Sequence, residues 1–274
     1  MRSQKSPFHR YRVSPGNPVV LAKWDPDETR AFPFGKGEGK RRLRKLTLRL
    51  EVLQELLHAG QKHSLLVIFQ GMDASGKDGT IKHVFSGVDP LGVRVAAFKA
   101  PTEEERAHDF LWRIAKELPR PGEIVLFNRS HYEDVLVARV KGLVPEEEWS
   151  KRYDLINAFE KRVADEGVTI LKFFLNVGLA EQKERLQARV DDPVKRWKFN
   201  PGDLEDRQLW PQYMRAYQDV LNRTNAPRAP WYIVPADRNW YRNLSVSSII
   251  VETLESLPLK YPKLRYDPRK IKIE

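Results

Sequence analysis

Residues Ser64 to Phe85 read SLLVIFQ, then GMDASGKDGT, then IKHVF, and this order of strand, glycine-rich turn and helix constrains the rest of the chain. Leu65, Leu66, Val67, Ile68 and Phe69 form a continuous apolar run, as expected of a strand buried on both faces of a parallel sheet. Gly71, Gly76 and Gly79 then cluster, and Thr80, Ile81, Val84 and Phe85 resume with helical spacing. Such glycines let successive backbone N–H groups converge on phosphate oxygens at the positive end of the following helix, and Lys77 adds a mobile cation there. Gly71-Met72-Asp73-Ala74-Ser75-Gly76-Lys77 fits every fixed position of the P-loop template G-x-x-x-x-G-K-[ST] except the last, where Asp78 replaces the hydroxyl residue. Asp73 lies inside the loop. A carboxylate about 4 Å from a phosphate charge is repelled by roughly 4 kcal/mol at an effective dielectric near 20, so Asp73 implies a bridging cation, and its hard oxygens suit Mg²⁺.

The chain of 274 residues is long enough for one large domain, and its hydrophobic fraction of 41% suits a globular α/β protein. Without cysteine it has no disulfide, thiolate metal site or cysteine nucleophile. No apolar run is long enough to cross a bilayer and MRSQKSPFHRYRV lacks a signal-peptide core, so the expected location is soluble and cytoplasmic, without membrane association. A formal charge of +11 implies a polyanionic partner, which could be nucleic acid, an anionic surface or a phosphate-rich substrate.

Residues 1–37, with scattered prolines, are expected to form an extended arm packed across the domain or partly mobile, and residues 261–274 a tail. Between them, 38–260 form the main domain. Leucines at spacings of three and four predict a long amphipathic helix over 38–58, its basic face read as solvated. Further strands are expected at 92–98, 123–127, 168–175 and 231–234, with helices opening at Thr102 and spanning 146–166, 179–190 and 244–257. This alternation means a five-stranded parallel sheet covered on both faces.

Ligands of such sheets sit beyond the carboxyl ends of the strands. Asn128-Arg129-Ser130-His131-Tyr132-Glu133-Asp134 follows the third strand directly and is therefore aimed at the loop. Arg129 suits phosphate oxygens bidentately, whereas His131 reads as a hydrogen-bonded spacer and Tyr132 as packing. Beyond the fourth strand, Arg185, Arg189, Lys195, Arg196 and Lys198 place five cations in fourteen residues. A segment of this length beside a P-loop is expected to be a lid, about 189–208, that clamps phosphate.

GMDASGKDGTIK, FNRSHYEDVLVARV, RVDDPVKRWKF and APWYIVPA together resemble the polyphosphate kinase 2 family, from about residue 40 to 260. The resemblance implies a P-loop kinase-like three-layer α/β/α sandwich with a helical lid, and Mg²⁺-dependent phosphoryl transfer between inorganic polyphosphate and AMP, ADP or ATP, with Mn²⁺ an alternative ion. It also implies a homo-oligomer, either dimer or tetramer. On it, Asp73, Lys77, Asn128, Arg129 and Arg189 form the catalytic set. Gly71, Ala74, Ser75, Gly76, Asp78, Gly79, Glu133, Asp134, Lys195, Arg196 and Lys198 bind phosphates, lid and acceptor. Much of the family has Asp-Arg-Ser where this chain has Asn128-Arg129-Ser130. Asn128 carries no charge, so Asp73, with Asp134 as second candidate, is left to hold the metal. The SHYED form is similar to the branch called class III, which acts on nucleoside mono- and diphosphates. Two other readings stay open: an ATP-dependent nucleoside or nucleotide kinase, and a basic nucleic-acid-binding protein. No arginine-rich recognition helix, RNP-like strand or zinc spacing supports the second, and no nucleic-acid partner is expected.

Overall fold

The computed structural model describes residues 6–273; the first five residues of the arm and the last of the tail lie outside them. Five strands, β1 Ser64–Gln70, β2 Val93–Ala97, β3 Ile124–Asn128, β4 Val168–Asn176 and β5 Trp231–Pro235, form one parallel sheet in the order β2-β3-β1-β4-β5. The helices are α1 Gly35–Gly60, α2 Lys77–Val84, α3 Glu103–Arg106, α4 Trp112–Ala115 and α5 Val137–Val140 in the first half. In the second half they are α6 Glu146–Asp165, α7 Leu179–Asp191, α8 Gly202–Gln208, α9 Trp210–Arg223 and α10 Asn239–Ser256.

β1 is buried at all seven residues, as its unbroken apolar run requires of the central strand. Alternation along β4 assigns the two covering layers. Lys172 and Phe174 point to one face, where they meet Glu160 of α6 and Tyr217 of α9, while Phe173 points to the other and stacks on Phe69. On that second face α10 lies against β4, β5 and α2, and α1 packs on α10. Thr102 begins α3 with a reciprocal capping box to Glu105, and α6 opens with Pro145 followed by three glutamates, which favour the positive end of the helix dipole.

The described part of the arm is packed. Phe8, Tyr11, Val13, Val19 and Leu21 are buried, Val13 N–H donates to Trp231 O at 2.9 Å, and Asn222 accepts from Val19 N–H at 2.6 Å. Because every strand is parallel, the turns after β1, β3 and β4 emerge at one edge of the sheet. The pairing of Phe69 with Asn128 sets the β3 turn directly beside the glycine-rich loop.

Candidate active site

The loop between β1 and α2 is shaped from behind. Arg185 donates to Ala74 O at 3.0 Å and Ser75 O at 3.2 Å, Arg242 donates to Ser75 O at 3.2 Å, and Gln182 donates to Asp73 O at 3.0 Å. With these carbonyls drawn back into the protein, the first N–H groups of α2, which have no acceptor within the helix, remain available to an anion, while Ser75 N–H is taken by Met72 O at 3.1 Å. Ala74 (φ 61°) and Gly76 (φ 99°) sit in the left-handed region; a Cβ at Gly76 would overlap the Arg242 guanidinium. Burial pushes Arg242 down to about 9, with Arg185 beside it adding to the effect.

Lys77 differs from the mobile cation expected. Its ammonium is buried and folded onto its own loop, donating to Gly71 O at 2.6 Å and Met72 O at 3.3 Å. Burial depresses its pKa and Arg129 adds to this, against the opposing pull of Asp73, Glu133 and Asp78. The two carbonyls therefore hold the ammonium against its own loop.

Asn128 and Asp78, the two positions that depart from the usual P-loop pattern, meet: Asn128 Nδ2 donates to Asp78 Oδ1 at 2.6 Å. In P-loop NTPases the loop supplies a hydroxyl and the third strand an acid. Here the loop supplies the acid and the strand an amide. The carboxylate that Asn128 lacks is thus present at Asp78, 50 residues away in sequence. Arg129, itself left-handed at φ 64°, lies between two acids, donating to Asp73 Oδ1 at 2.7 Å with Glu133 Oε2 at 3.5 Å. Glu133 holds the Arg129 pKa up most strongly, while burial raises that of Glu133 itself.

Asp134 does not join this group. Its carboxylate accepts from Arg152 at 3.0 Å and lies 3.9 Å from Arg113, and burial pushes it up to about 6 despite both arginines. Adjacent residues of the turn face opposite ways, so Glu133 goes to the loop and Asp134 to the helices. The metal and acceptor roles expected of Asp134 have no support in this geometry.

His131 and Tyr132 are fully buried beneath the turn. Glu160 Oε1 accepts from Tyr132 OH at 2.7 Å and lies 3.2 Å from His131 Nε2, and Lys172 donates to Glu160 Oε2 at 2.6 Å, Tyr132 OH at 2.9 Å and Thr224 O at 2.7 Å. Burial lowers His131, keeping it neutral, which fits a spacer. Burial would raise Glu160, but Lys172 and His131 outweigh it and hold the carboxylate ionised.

The lid cations do not form one surface. Arg189 turns inward to Asp203 Oδ2 at 3.2 Å, whereas Lys195 bridges Asp192 at 2.7 Å, Arg196 donates to Val190 O at 2.8 Å and Lys198 lies 5.0 Å from the Trp197 ring centre. Burial and the charge of Asp73 both raise Asp203, which places its carboxyl within the field of the loop. Asp206 accepts from Tyr213 OH at 3.0 Å and pairs with Lys141 at 2.8 Å. Asp203 and Asp206, three apart on α8, and the bracing residues Gln182 and Arg242 were not among the expected site residues. Arg185 was read as a lid cation, but it braces the loop instead. The only sequence signal for the α8 acids was a DLED step inside an otherwise basic lid.

Residues 34–261 match the family model described as polyphosphate kinase 2. The chain belongs to this family. It is 56% identical over 265 residues to an AMP/ADP-polyphosphate phosphotransferase of Meiothermus ruber, covering 97% of this chain and 99% of that one. It is 45% identical to an ADP-polyphosphate phosphotransferase of Rhodopseudomonas palustris, covering 93% and 92%. The crystal structure of polyphosphate kinase 2 from Arthrobacter aurescens TC1 superposes with a TM-score of 0.93 at 44% identity, covering 97% of this chain and 94% of that one. The sheet, its two helical layers and the lid are therefore those of a P-loop kinase-like fold of this family. Among the described residues no helix is long and apolar enough to cross a membrane.

Proposed function

We propose that the chain transfers phosphoryl groups from inorganic polyphosphate to AMP and ADP, reversibly and with Mg²⁺ or Mn²⁺. The observation that carries this reading is a phosphate-shaped loop with carbonyls braced backward, faced by Arg129 between Asp73 and Glu133, in a chain 56% identical to a relative named for that reaction. Phosphoryl transfer asks a protein mainly for positioning and charge neutralisation. Lys77 and the loop amides hold the phosphates next to the transferred group, and Arg129 and Arg189 meet the charge that develops on it. An acceptor phosphate is already ionised, so no general base is needed, in keeping with a buried, neutral His131. Glu133, just past β3, shapes the acceptor end.

Among the described residues no three His, Cys, Asp or Glu side chains are grouped to enclose a metal. The donor set nevertheless fits Mg²⁺, which is usually held by one or two carboxylates together with substrate phosphates and water. Asp73 and Asp78 are the carboxylates of the loop and would hold it. Held there, the ion would supply positive charge that offsets the charge of the phosphates. A cytoplasmic homo-oligomer, dimer or tetramer, belongs to the same proposal and is checked by sedimentation of the purified protein.

One assay tests the reaction: AMP with polyphosphate and Mg²⁺, resolving ADP and ATP, against AMP with ATP as donor. Product from polyphosphate supports the proposal. Product from ATP alone would establish an ATP-dependent nucleotide kinase in its place.

A further inference from the structure

α1 opens with cations that the site above does not use. Lys36, Lys40, Arg42, Arg44 and Lys45 are exposed, and none pairs with a carboxylate among the described residues, whereas Arg41 bridges Glu38 and Arg49 bridges Glu255. This arrangement works against the helix that carries it. Lys36 with Lys40 and Lys40 with Arg44 stand four apart, and Arg42 with Lys45 three apart, so like charges are neighbours. Lys36 also lies in the first turn, at the positive end of the helix dipole. The second half of α1 mixes signs, with Glu51 and Glu55 among its exposed residues, as a merely solvated helix does.

The position of the cluster is set by α10, which α1 follows in the same direction. Gly39 abuts Trp240, Arg49 reaches Glu255 at 2.7 Å, and Gly60 lies by Lys260. α10 begins beyond the carboxyl end of β5, and Arg242 in its first turn donates to the P-loop at Ser75 O, 3.2 Å away. The basic half of α1 is therefore at the P-loop end of the molecule, and the row from Lys36 to Arg44 runs about 12 Å along the helix axis.

We propose that the row Lys36, Lys40 and Arg44, which runs along one side of α1 with Arg42 and Lys45 on the opposite flank, is a docking track for the length of a polyphosphate chain that extends beyond the reacting end, an inference that rests on the polyphosphate-dependent reading above. Internal phosphates of such a chain carry regularly spaced negative charge on a flexible backbone. A row of cations without shaped pockets matches that chemistry and gains from counterion release. Single-stranded nucleic acid would call for a series of aromatic stacking platforms as well, and beside the row only Phe34, at the N-cap, precedes a helix that contains no Phe, Trp or Tyr over residues 35–60.

The test is a full-length variant, Lys36→Gln/Lys40→Gln/Arg44→Gln, which keeps good helix formers at each position. AMP phosphorylation is measured with long-chain polyphosphate and with tripolyphosphate over a range of salt. The expected result is a several-fold rise in KM for the long chain and a salt dependence flattened by roughly two to three slope units. KM for tripolyphosphate, KM for AMP and kcat stay at wild-type values. Wild-type turnover with an unchanged long-chain KM in the variant, or with both polyphosphates weakened in parallel, overturns the track and leaves the proposed reaction standing. A gel shift of DNA lost in the variant, with polyphosphate KM unmoved, also overturns it and assigns the surface to nucleic acid. No wild-type turnover with either polyphosphate overturns the reaction itself, and the track with it.

Discussion

Beneath the turn after β3, Lys172 of β4 and Glu160 of α6 are buried and bonded with Tyr132 and His131 of the turn, and together they hold the segment from which Arg129 and Glu133 reach the loop. In the lid, the side chains of Lys195 and Arg196 bond, among the described residues, only to residues within six positions of themselves and stay exposed, and Trp197 stands 78% exposed. The turn is fixed from beneath by partners on β4 and α6, whereas the side chains of Lys195 and Arg196 are fastened, among the described residues, to their own neighbours in sequence. A charge without water depends on its partners, whereas an exposed one is screened and free to change partner. One region therefore suits preorganised phosphate binding, and the other suits engaging and releasing a substrate of variable length.

The largest effect expected from breaking this contrast is on stability. Lys172→Met leaves Glu160 buried without its cation, which costs about 3–5 kcal/mol, a fall in Tm of roughly 6–20 °C for a domain of this size. The double variant Lys172→Met/Glu160→Gln removes both charges and is expected to recover much of that loss. Calorimetry of the two variants checks this. A single variant melting with the wild type would show that the network does not support the turn.

Next is Lys77→Ala, where loss of a preorganised cation is expected to lower kcat by about 10²–10³-fold, or roughly 3–4 kcal/mol of transition-state stabilisation. Removing an ammonium that bonds carbonyls of its own loop should leave far-ultraviolet circular dichroism unchanged. Retention of more than about a tenth of the wild-type kcat would remove Lys77 from the phosphate site.

How far these roles were readable in the sequence differs by residue. The strands were legible because each is a short apolar run bounded by polar turns, and β1 to β5 fall within a residue or two of expectation. Lys172 was not, since one cation inside an apolar strand gives no sign of the Glu160 that faces it from α6. Asp78 and Asn128 each looked like a defect in a motif, and only the register of β1 with β3 brings them together. Arg185 looked like part of a cationic run, and its four bonds to backbone carbonyls depend on the positions of the loop and of the turn after β5. Local pattern reports elements; partners on different elements report themselves only in the fold.

Asp73→Asn carries a smaller effect, on the metal. If Asp73 and Asp78 share the ion, removing one charge should raise the Mg²⁺ concentration for half-maximal activity by about tenfold or more, with Asp78→Asn doing the same. Arg129 also loses its 2.7 Å partner, so some loss of kcat at saturating Mg²⁺ is expected as well. An activity curve superposable on the wild type would make Asp73 a turn residue and a partner of Arg129 only.

The smallest effect tests the lid against the buried turn directly. Lys195 and Lys198 lie in the exposed part of the lid, and the Lys195 bridge to Asp192 is local, so replacing both with Gln should leave Tm unchanged. If they engage a polyanion, each lost contact flattens the fall of affinity with salt by roughly 0.7–0.9 slope units. The double variant should therefore raise KM for polyphosphate a few-fold at low salt, flatten its salt dependence by roughly one to two units and leave KM for AMP in place. Arg189→Gln should behave differently, because Arg189 turns inward to Asp203, close to the field of Asp73, and its loss should appear in kcat. Collapse of AMP binding in the lysine variant, with the polyphosphate salt slope intact, would move the exposed lid to the nucleotide side. The contrast between a fixed phosphate site and a releasable polyphosphate clamp would then fail.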